Sequence, residues 1–202
     1  MHSFDLFSYI VKYDSGFAPN PFGGICTLAC CKPVIRRTAQ IGDWIIGTTP
    51  APRPGRLVYA MRVGRGLTYD YYFNDPRYEN KKPGVDNPRG DNIYSPTNGE
   101  LQQLPNPAHD ERHETGDLST NRVLISDVFF YFGKEAPTIP KRFQHIVHTT
   151  QGHKRIRSRD RGYDKATEFI RWLEGEYKPG IYGEPADEKI MCLPPEEDDT
   201  FE

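Results

Sequence analysis

Residues 20–48 read NPFGGICTLACCKPVIRRTAQIGDWIIGT, and three successive signals in them decide the fold class. Pro19, Pro21, Gly23 and Gly24 break the chain after a first apolar segment, residues 4–13, which carries Phe4, Leu6, Phe7, Tyr9, Ile10 and Val11. A compact cysteine-bearing segment follows. Residues 26–39 suit a short strand and then a helical turn, with Pro33 limiting any helix that crosses it. Gly42-Asp43 then turns the chain into a buried strand, Trp44-Ile45-Ile46-Gly47. Gly tolerates positive φ and Asp bonds back to its own backbone, so this turn sets the strand sharply.

Outward from that stretch, residues 56–63 set Leu57, Tyr59, Met61 and Val63 against Arg56, Val58, Ala60 and Arg62, the period of a strand. Residues 67–73 suit a helical turn or an extended piece. VLISDVFFYF, residues 123–132, reads as one strong strand, and residues 142–149 as another. Residues 163–176 predict a helix, because Ala166, Phe169, Ile170 and Leu173 fall on one face with Trp172 nearby. Turn-formers and charges dominate residues 74–121. A connection that long is more often functional or mobile than inert, and its composition cannot build a core of its own. The pattern predicts an α+β chain with a small, strongly curved or closed sheet. One domain is expected over residues 1–177, with 74–121 as a long inserted loop, followed by an acidic, loosely held tail at 178–202.

The 202 residues hold 26 Lys and Arg against 28 Asp and Glu, so no global basic field is present and any nucleic-acid contact needs a local patch. The 12 Tyr and 11 Phe argue against disorder. No apolar run approaches a membrane span and no signal-peptide core opens the chain, so a soluble, cytoplasmic protein without a membrane partner is expected. Four cysteines, two of them adjacent, fit free thiols in a reducing compartment.

Several groups carry chemistry. Cys26, Cys30 and Cys31 lie near Lys32, which suits a thiolate nucleophile beside a cation or, equally simply, small thiols packed inside the core. As zinc ligands they lack a matching second half, with only Cys192 remaining, so no metal and no cofactor is expected. His109, Asp110 and His113, beside Glu111 and Glu114, read as a metal site, an acid–base pair or a solvated loop. Asp75, Arg77, Tyr78, Lys81 and Lys82 neighbour Tyr71, Tyr72 and Phe73, a combination that stacks on bases and meets phosphate, or an exposed charged turn. HKRIRSRDR, residues 153–161, is the strongest basic cluster.

This order of elements resembles the PUA-like superfamily, and within it the EVE-type domains, over roughly residues 4–173. The resemblance rests on the Gly42-Asp43 turn, RLVYAMRV, Asn74-Asp75-Pro76, VLISDVFFYF and the Pro-bearing turn at 136–140. It implies a small PUA/EVE-like β-barrel with flanking helices. A further set of strings is similar to the second class of nucleotide-modification-associated domains of phages and bacteria: FAPNPFGGICTLACCKPVIRRTAQIGDWIIGT, LVYAMRV, NDPRYENKKP, GDNIY and VLISDVFFYFG. That family implies a setting among DNA base-modifying enzymes rather than a reaction.

On these resemblances the expected function is recognition of a modified base or nucleotide in DNA modification or anti-phage systems. The ligand would be a free nucleotide or a flipped or single-stranded DNA base, with DNA-modification proteins as further partners. Asn20 would read the base edge and Phe22 or Trp44 would stack. Cys26, Thr27, Lys32, Thr48, Asp75, Tyr78 and Lys81 would line the pocket. Arg36, Arg37, His153, Lys154, Arg155 and Arg157 would meet the nucleic-acid backbone. The rival is an enzyme of base or nucleotide modification, with Cys26 or Cys30 as nucleophile and Lys32 or His109 assisting. A third reading is an interaction module of a modification complex.

Overall fold

The structure, a computed structural model, describes residues 3–190. Strand β1 (Leu6–Ile10) is followed by β2 (Cys26–Leu28), helix α1 (Pro33–Thr38), β3 (Trp44–Thr48), β4 (Leu57–Arg62) and β5 (Arg65–Leu67). Then come α2 (Tyr69–Asn74), a 3-10 turn (Pro76–Lys81), the hairpin β6 (Tyr94–Thr97) and β7 (Glu100–Gln103), and α3 (Glu111–Leu118). Strands β8 (Val123–Ser126) and β9 (Val128–Tyr131), two 3-10 segments (Gly133–Glu135 and Lys141–Ile146), β10 (His153–Ile156), α4 (Tyr163–Glu176) and β11 (Gly180–Ile181) complete it.

Six strands form one mixed sheet in the order β10-β1-β3-β4-β9-β11, and three more form a second sheet, β2-β8-β5. The expected closed barrel is corrected by this arrangement: the larger sheet keeps two edges, β10 and β11, among the described residues. Alternation assigns the faces. Leu6, Trp44, Ile46, Ala60 and Phe130 point to a core shared with Phe169, Ile170 and Leu173 of α4. Phe7, Tyr9, Ile45, Tyr59, Met61 and Phe129 point the other way, to a core shared with Cys26, Leu28, Leu124 and Ile35 of the smaller sheet and α1. The far face of the smaller sheet meets a third core containing Phe17, Cys30, Tyr69, Tyr72, Tyr78, Ile93, Tyr94 and Ala108. Residues 74–121 therefore do not form a structureless loop. Their Tyr78, Ile93, Tyr94 and Ala108 complete a core whose other walls come from elsewhere in the chain.

Two strand expectations are corrected. VLISDVFFYF is two strands, because exposed Asp127 sits where the chain leaves the smaller sheet for the larger one, with Ser126 Oγ donating to Val128 O at 2.8 Å across the corner. Residues 141–146 are 3-10 helix, since Phe143 and Ile146 are spaced three apart and both enter the α4 core. Strand β11 pairs with β9, so the expected loose tail starts as an ordered edge; residues 191–202, with Cys192 and the acidic run, lie outside the described residues.

The core between the two sheets is tightest at Gly47 in β3, where an added Cβ would meet the Tyr59 ring and lie 2.5 Å from Val11 Cγ2. Tyr59 is itself fixed by a 2.9 Å hydrogen bond between its hydroxyl and that of Tyr9. Gly47→Ala should therefore destabilise the fold by about 1–3 kcal/mol through overpacking, read as a lower denaturant midpoint; an unchanged midpoint would mean that the tyrosine pair shifts freely.

Candidate active site

Cys31 sits where β2 gives way to α1. Pairing of β2 with β8 fixes the exit of the strand, and Pro33 at the first turn of α1 fixes the entry to the helix. Four residues lie between them, and the last two are left-handed: Cys31 has φ 58° and Lys32 φ 45°. For non-glycine residues such backbone costs of order 1–3 kcal/mol each and persists only where surroundings enforce it. Here Asp117 Oδ1 accepts from the Cys31 amide at 2.5 Å, and Arg36 Nε donates to the Cys31 carbonyl at 2.7 Å. Cys31 stands at this turn as a half-buried residue, where Cys26 and Cys30 are fully buried.

Facing it is His109. Its Nε2 lies 3.4 Å from Cys31 Sγ and its Nδ1 lies 3.1 Å from Asp117 Oδ2. An Nδ1–H donated to the carboxylate leaves Nε2 as an acceptor toward the thiol, the tautomer this network assigns. The segment before α3 holds the ring in place. Asn106 Oδ1 accepts from the amides of Ala108 at 3.0 Å and His109 at 2.8 Å, and Gln103 Nε2 donates to the His109 carbonyl at 3.0 Å. Phe17 packs on the imidazole with ring centres 4.7 Å apart, and His113 stacks on it at 4.0 Å and 7°. Burial, helped by His109, holds His113 below its ordinary pKa, so the stacked ring favours the neutral form.

Asp117, near the end of α3, is the hub. It also accepts from Tyr94 Oη at 2.9 Å, and Arg36 Nη2 lies 3.6 Å from its other oxygen. Burial pushes this carboxyl up, yet His109, Arg36 and the Cys31 amide together outweigh it and hold it below the usual carboxylate range. Arg36 itself is fully buried. Its remaining donors go to the carbonyls of Asp117 (2.7 Å), Arg122 (2.9 Å) and Thr120 (3.3 Å) and to Tyr69 Oη (2.8 Å). The expectation that Arg36 meets a nucleic-acid backbone is therefore corrected, because its charge is enclosed and fully engaged.

The other two described thiols differ. Burial, opposed by Lys81, pushes Cys26 up to about 12, and its sulfur sits 4.0 Å from Met61 Sδ inside the core. Burial, with Asp117 and Asp91 beside it, raises Cys30 well above an ordinary thiol. Among the three, the imidazole faces Cys31, a residue the sequence marks only as part of the cysteine group. One atom each from Cys30, His109 and Asp117 lie within 4.8 Å of one another, which makes these residues a possible cation cluster as well.

The residues expected to line a base pocket are placed as follows. Asn20 is buried, with Nδ2 donating to Arg89 O at 2.7 Å and Oδ1 accepting from Lys81 Nζ at 2.8 Å and from the Phe22 amide at 3.2 Å. Lys81 also donates to the Asn20 and Ile25 carbonyls at 3.1 and 3.0 Å. Thr27 donates to buried Asp91 at 2.6 Å, as does Tyr72 at 2.8 Å. Trp44 stacks on Phe130 within the α4 core, and Thr48 donates to Tyr9 O at 3.4 Å. Lys32 lies 5.2 Å over the Tyr9 ring, Phe22 and Asp75 are half-buried, and Tyr78 is buried. Of the basic set, Arg37 and Arg157 are exposed. Arg155 pairs with Asp5 at 2.7 Å, Lys154 donates to His145 O, and His153 belongs to edge strand β10.

Asp117 and Tyr94 escape the sequence reading. The available signal was spacing: His109, His113 and Asp117 recur every four residues, which puts the last two on one face of a helix that begins just after the first.

A half-buried thiol, an imidazole and a buried carboxylate in series, carried by a two-sheet α+β scaffold, define a thiol–imidazole–carboxylate class of site. The chain belongs to the family described as nucleotide modification associated domain 2, which it matches over residues 3–192. That description associates it with nucleotide modification systems. Comparison with curated proteins found no match, and comparison with solved structures found none either. No described helix is long and apolar enough to cross a membrane.

Because Asp117 is depressed in the folded state, its contribution to stability is present above the 3.8 of a free aspartate and fades as pH falls through its lower folded value. Asp117→Asn should cost about 3–5 kcal/mol at neutral pH, by leaving Arg36 without its carboxylate. The difference from the parent should shrink in acid. Urea unfolding of both proteins at neutral and strongly acidic pH checks this, and a gap that stays constant with pH would assign the loss to packing.

Proposed function

We propose that this protein is a thiol-dependent acyl-transfer enzyme acting within nucleotide modification, with Cys31 as nucleophile, His109 as general base and then acid, and Asp117 as the group that orients and charges the histidine. The observation that carries this reading is the continuous line Cys31 Sγ to His109 to Asp117, with contacts of 3.4 and 3.1 Å. His109 Nε2 takes the thiol proton as sulfur bonds to an electrophilic acyl carbon. The bond to the leaving group then breaks, and the leaving group takes that proton from Nε2. Water or an amine attacks the resulting thioester, gives its proton to His109 and returns the thiol as the acyl group departs. Asp117 stays ionised throughout and stabilises the imidazolium.

The paired left-handed residues at the Cys31 turn support the reading, since strained backbone gathers at working sites. So does the engagement of the Asn20 amide inside the scaffold, which favours this site over base-edge reading at that residue. The family description supports a setting in nucleotide modification, and the proposed substrate is a nucleotide or nucleobase bearing or receiving an acyl group.

Iodoacetamide at neutral pH, followed by intact-mass and peptide analysis, tests the assignment. One fast adduct should form, on Cys31, and disappear in Cys31→Ser. His109→Gln should slow it by about 10²-fold or more, with circular dichroism unchanged. Labelling of Cys31 at the rate of a free cysteine, unaltered by His109→Gln, would remove the nucleophile.

A further inference from the structure

Cys30 takes no part in the proposed relay, yet its sulfur lies among the members of it. Its donor atom and one each from His109 and Asp117 fall within 4.8 Å of one another, and all three residues are buried. Around a tetrahedral zinc ion, bonds of about 2.0–2.3 Å place ligand atoms roughly 3.3–3.8 Å apart. The cluster therefore needs to close by about an ångström, the scale of side-chain rotation. Cys31 stands outside this cluster, its sulfur 3.4 Å from Nε2 while Asp117 faces Nδ1. A thiolate with an imidazole is a soft ligand set, suited to zinc rather than magnesium or calcium.

Outer support is present too. Asp117 accepts from Tyr94 Oη at 2.9 Å and from the Cys31 amide at 2.5 Å, so a ligating carboxylate would be held in place. Arg36, 3.6 Å from Asp117 Oδ1, opposes a second cation on that side. Oδ2, which faces His109 and Tyr94, is the oxygen left for an ion. A neighbouring guanidinium argues for a reversible ligand rather than a permanent structural metal.

We infer that Cys30, His109 and Asp117 form a reversible site for a thiophilic divalent cation of the zinc class, and that an ion held on the Asp117 side of the ring keeps the remaining ring proton on Nε2, which then no longer accepts from the Cys31 thiol and leaves it silent. The Cys30 thiol releases one proton to solvent as it ligates, and no redox step is involved. Binding stands on the donor set alone, while the silencing rests on the nucleophile reading above.

Zinc titration of the full chain against a chromophoric chelator, for the parent and for Cys30→Ala, tests this. The parent should bind one ion and Cys30→Ala should bind it at least ~10-fold more weakly. Cobalt(II) added to the parent should give a sulfur-to-cobalt absorption band, a readout that needs no variant to fold. Zinc should slow iodoacetamide labelling of Cys31 in the parent far more than in Cys30→Ala. Equal zinc affinity in both proteins, or cobalt bound with no sulfur band, would overturn the site. A Cys31 that is unreactive without zinc would sink the nucleophile while leaving the zinc isotherm standing, so the two failures are distinguishable.

Discussion

The enclosed guanidinium of Arg36 is the constraint around which this half of the molecule is arranged. An ionised side chain out of water requires that every donor be met and its charge balanced. The chain meets that demand with four main-chain carbonyls, one tyrosine hydroxyl and the Asp117 carboxylate, drawn from the Cys31 turn, α2, α3 and the segment leading into β8. Satisfying Arg36 therefore fixes where α3 lies relative to α1. That in turn brings His109 and Asp117 to the thiol. A salt bridge of this kind adds little net stability compared with an apolar replacement, but it specifies one arrangement.

A second enclosed network does comparable work on the neighbouring stretch. Lys81 is held below its ordinary value by burial, with Asp91 opposing, and burial raises Asp91. Lys81 ties residues 20–25 to the turn after α2, while Asp91 gathers Thr27 and Tyr72. Residues that look like ligand-readers in the sequence, an amide and a lysine beside glycines, are here the means by which polar backbone is satisfied inside a core built from distant segments.

Much of the fold was legible where one local rule governs. The α4 helix spans the residues its apolar face predicts, and β3 follows the Gly42-Asp43 turn, where Asp43 accepts from the Gln40 and Asp5 amides as a turn aspartate should. Legibility failed where tertiary context decided. An apolar run broken by Asp127 is continuous in hydropathy but turns a corner between sheets, and residues 141–146 follow helical rather than strand spacing once α4 is there to receive them. Sheet closure is a long-range property that no window reports. The site divides the same way. A cysteine group and His109 stand out by residue type, whereas the choice of Cys31 over Cys26 and Cys30 depends on which thiol the fold buries and which it leaves beside the imidazole.

The distance along the chain between thiol and imidazole has its own consequence. Cys31 and His109 are 78 residues apart, and Asp117 is 86 residues from the amide it holds. Closing so large a loop costs entropy that no local contact returns, so the three groups have no tendency to meet in a partly folded chain. The thiol–imidazole–carboxylate arrangement exists only once β2, α1 and α3 are docked together. On the proposed nucleophile reading, a nascent or damaged chain carries an ordinary cysteine at this position, and thiol reactivity at Cys31 would measure whether the molecule has finished folding.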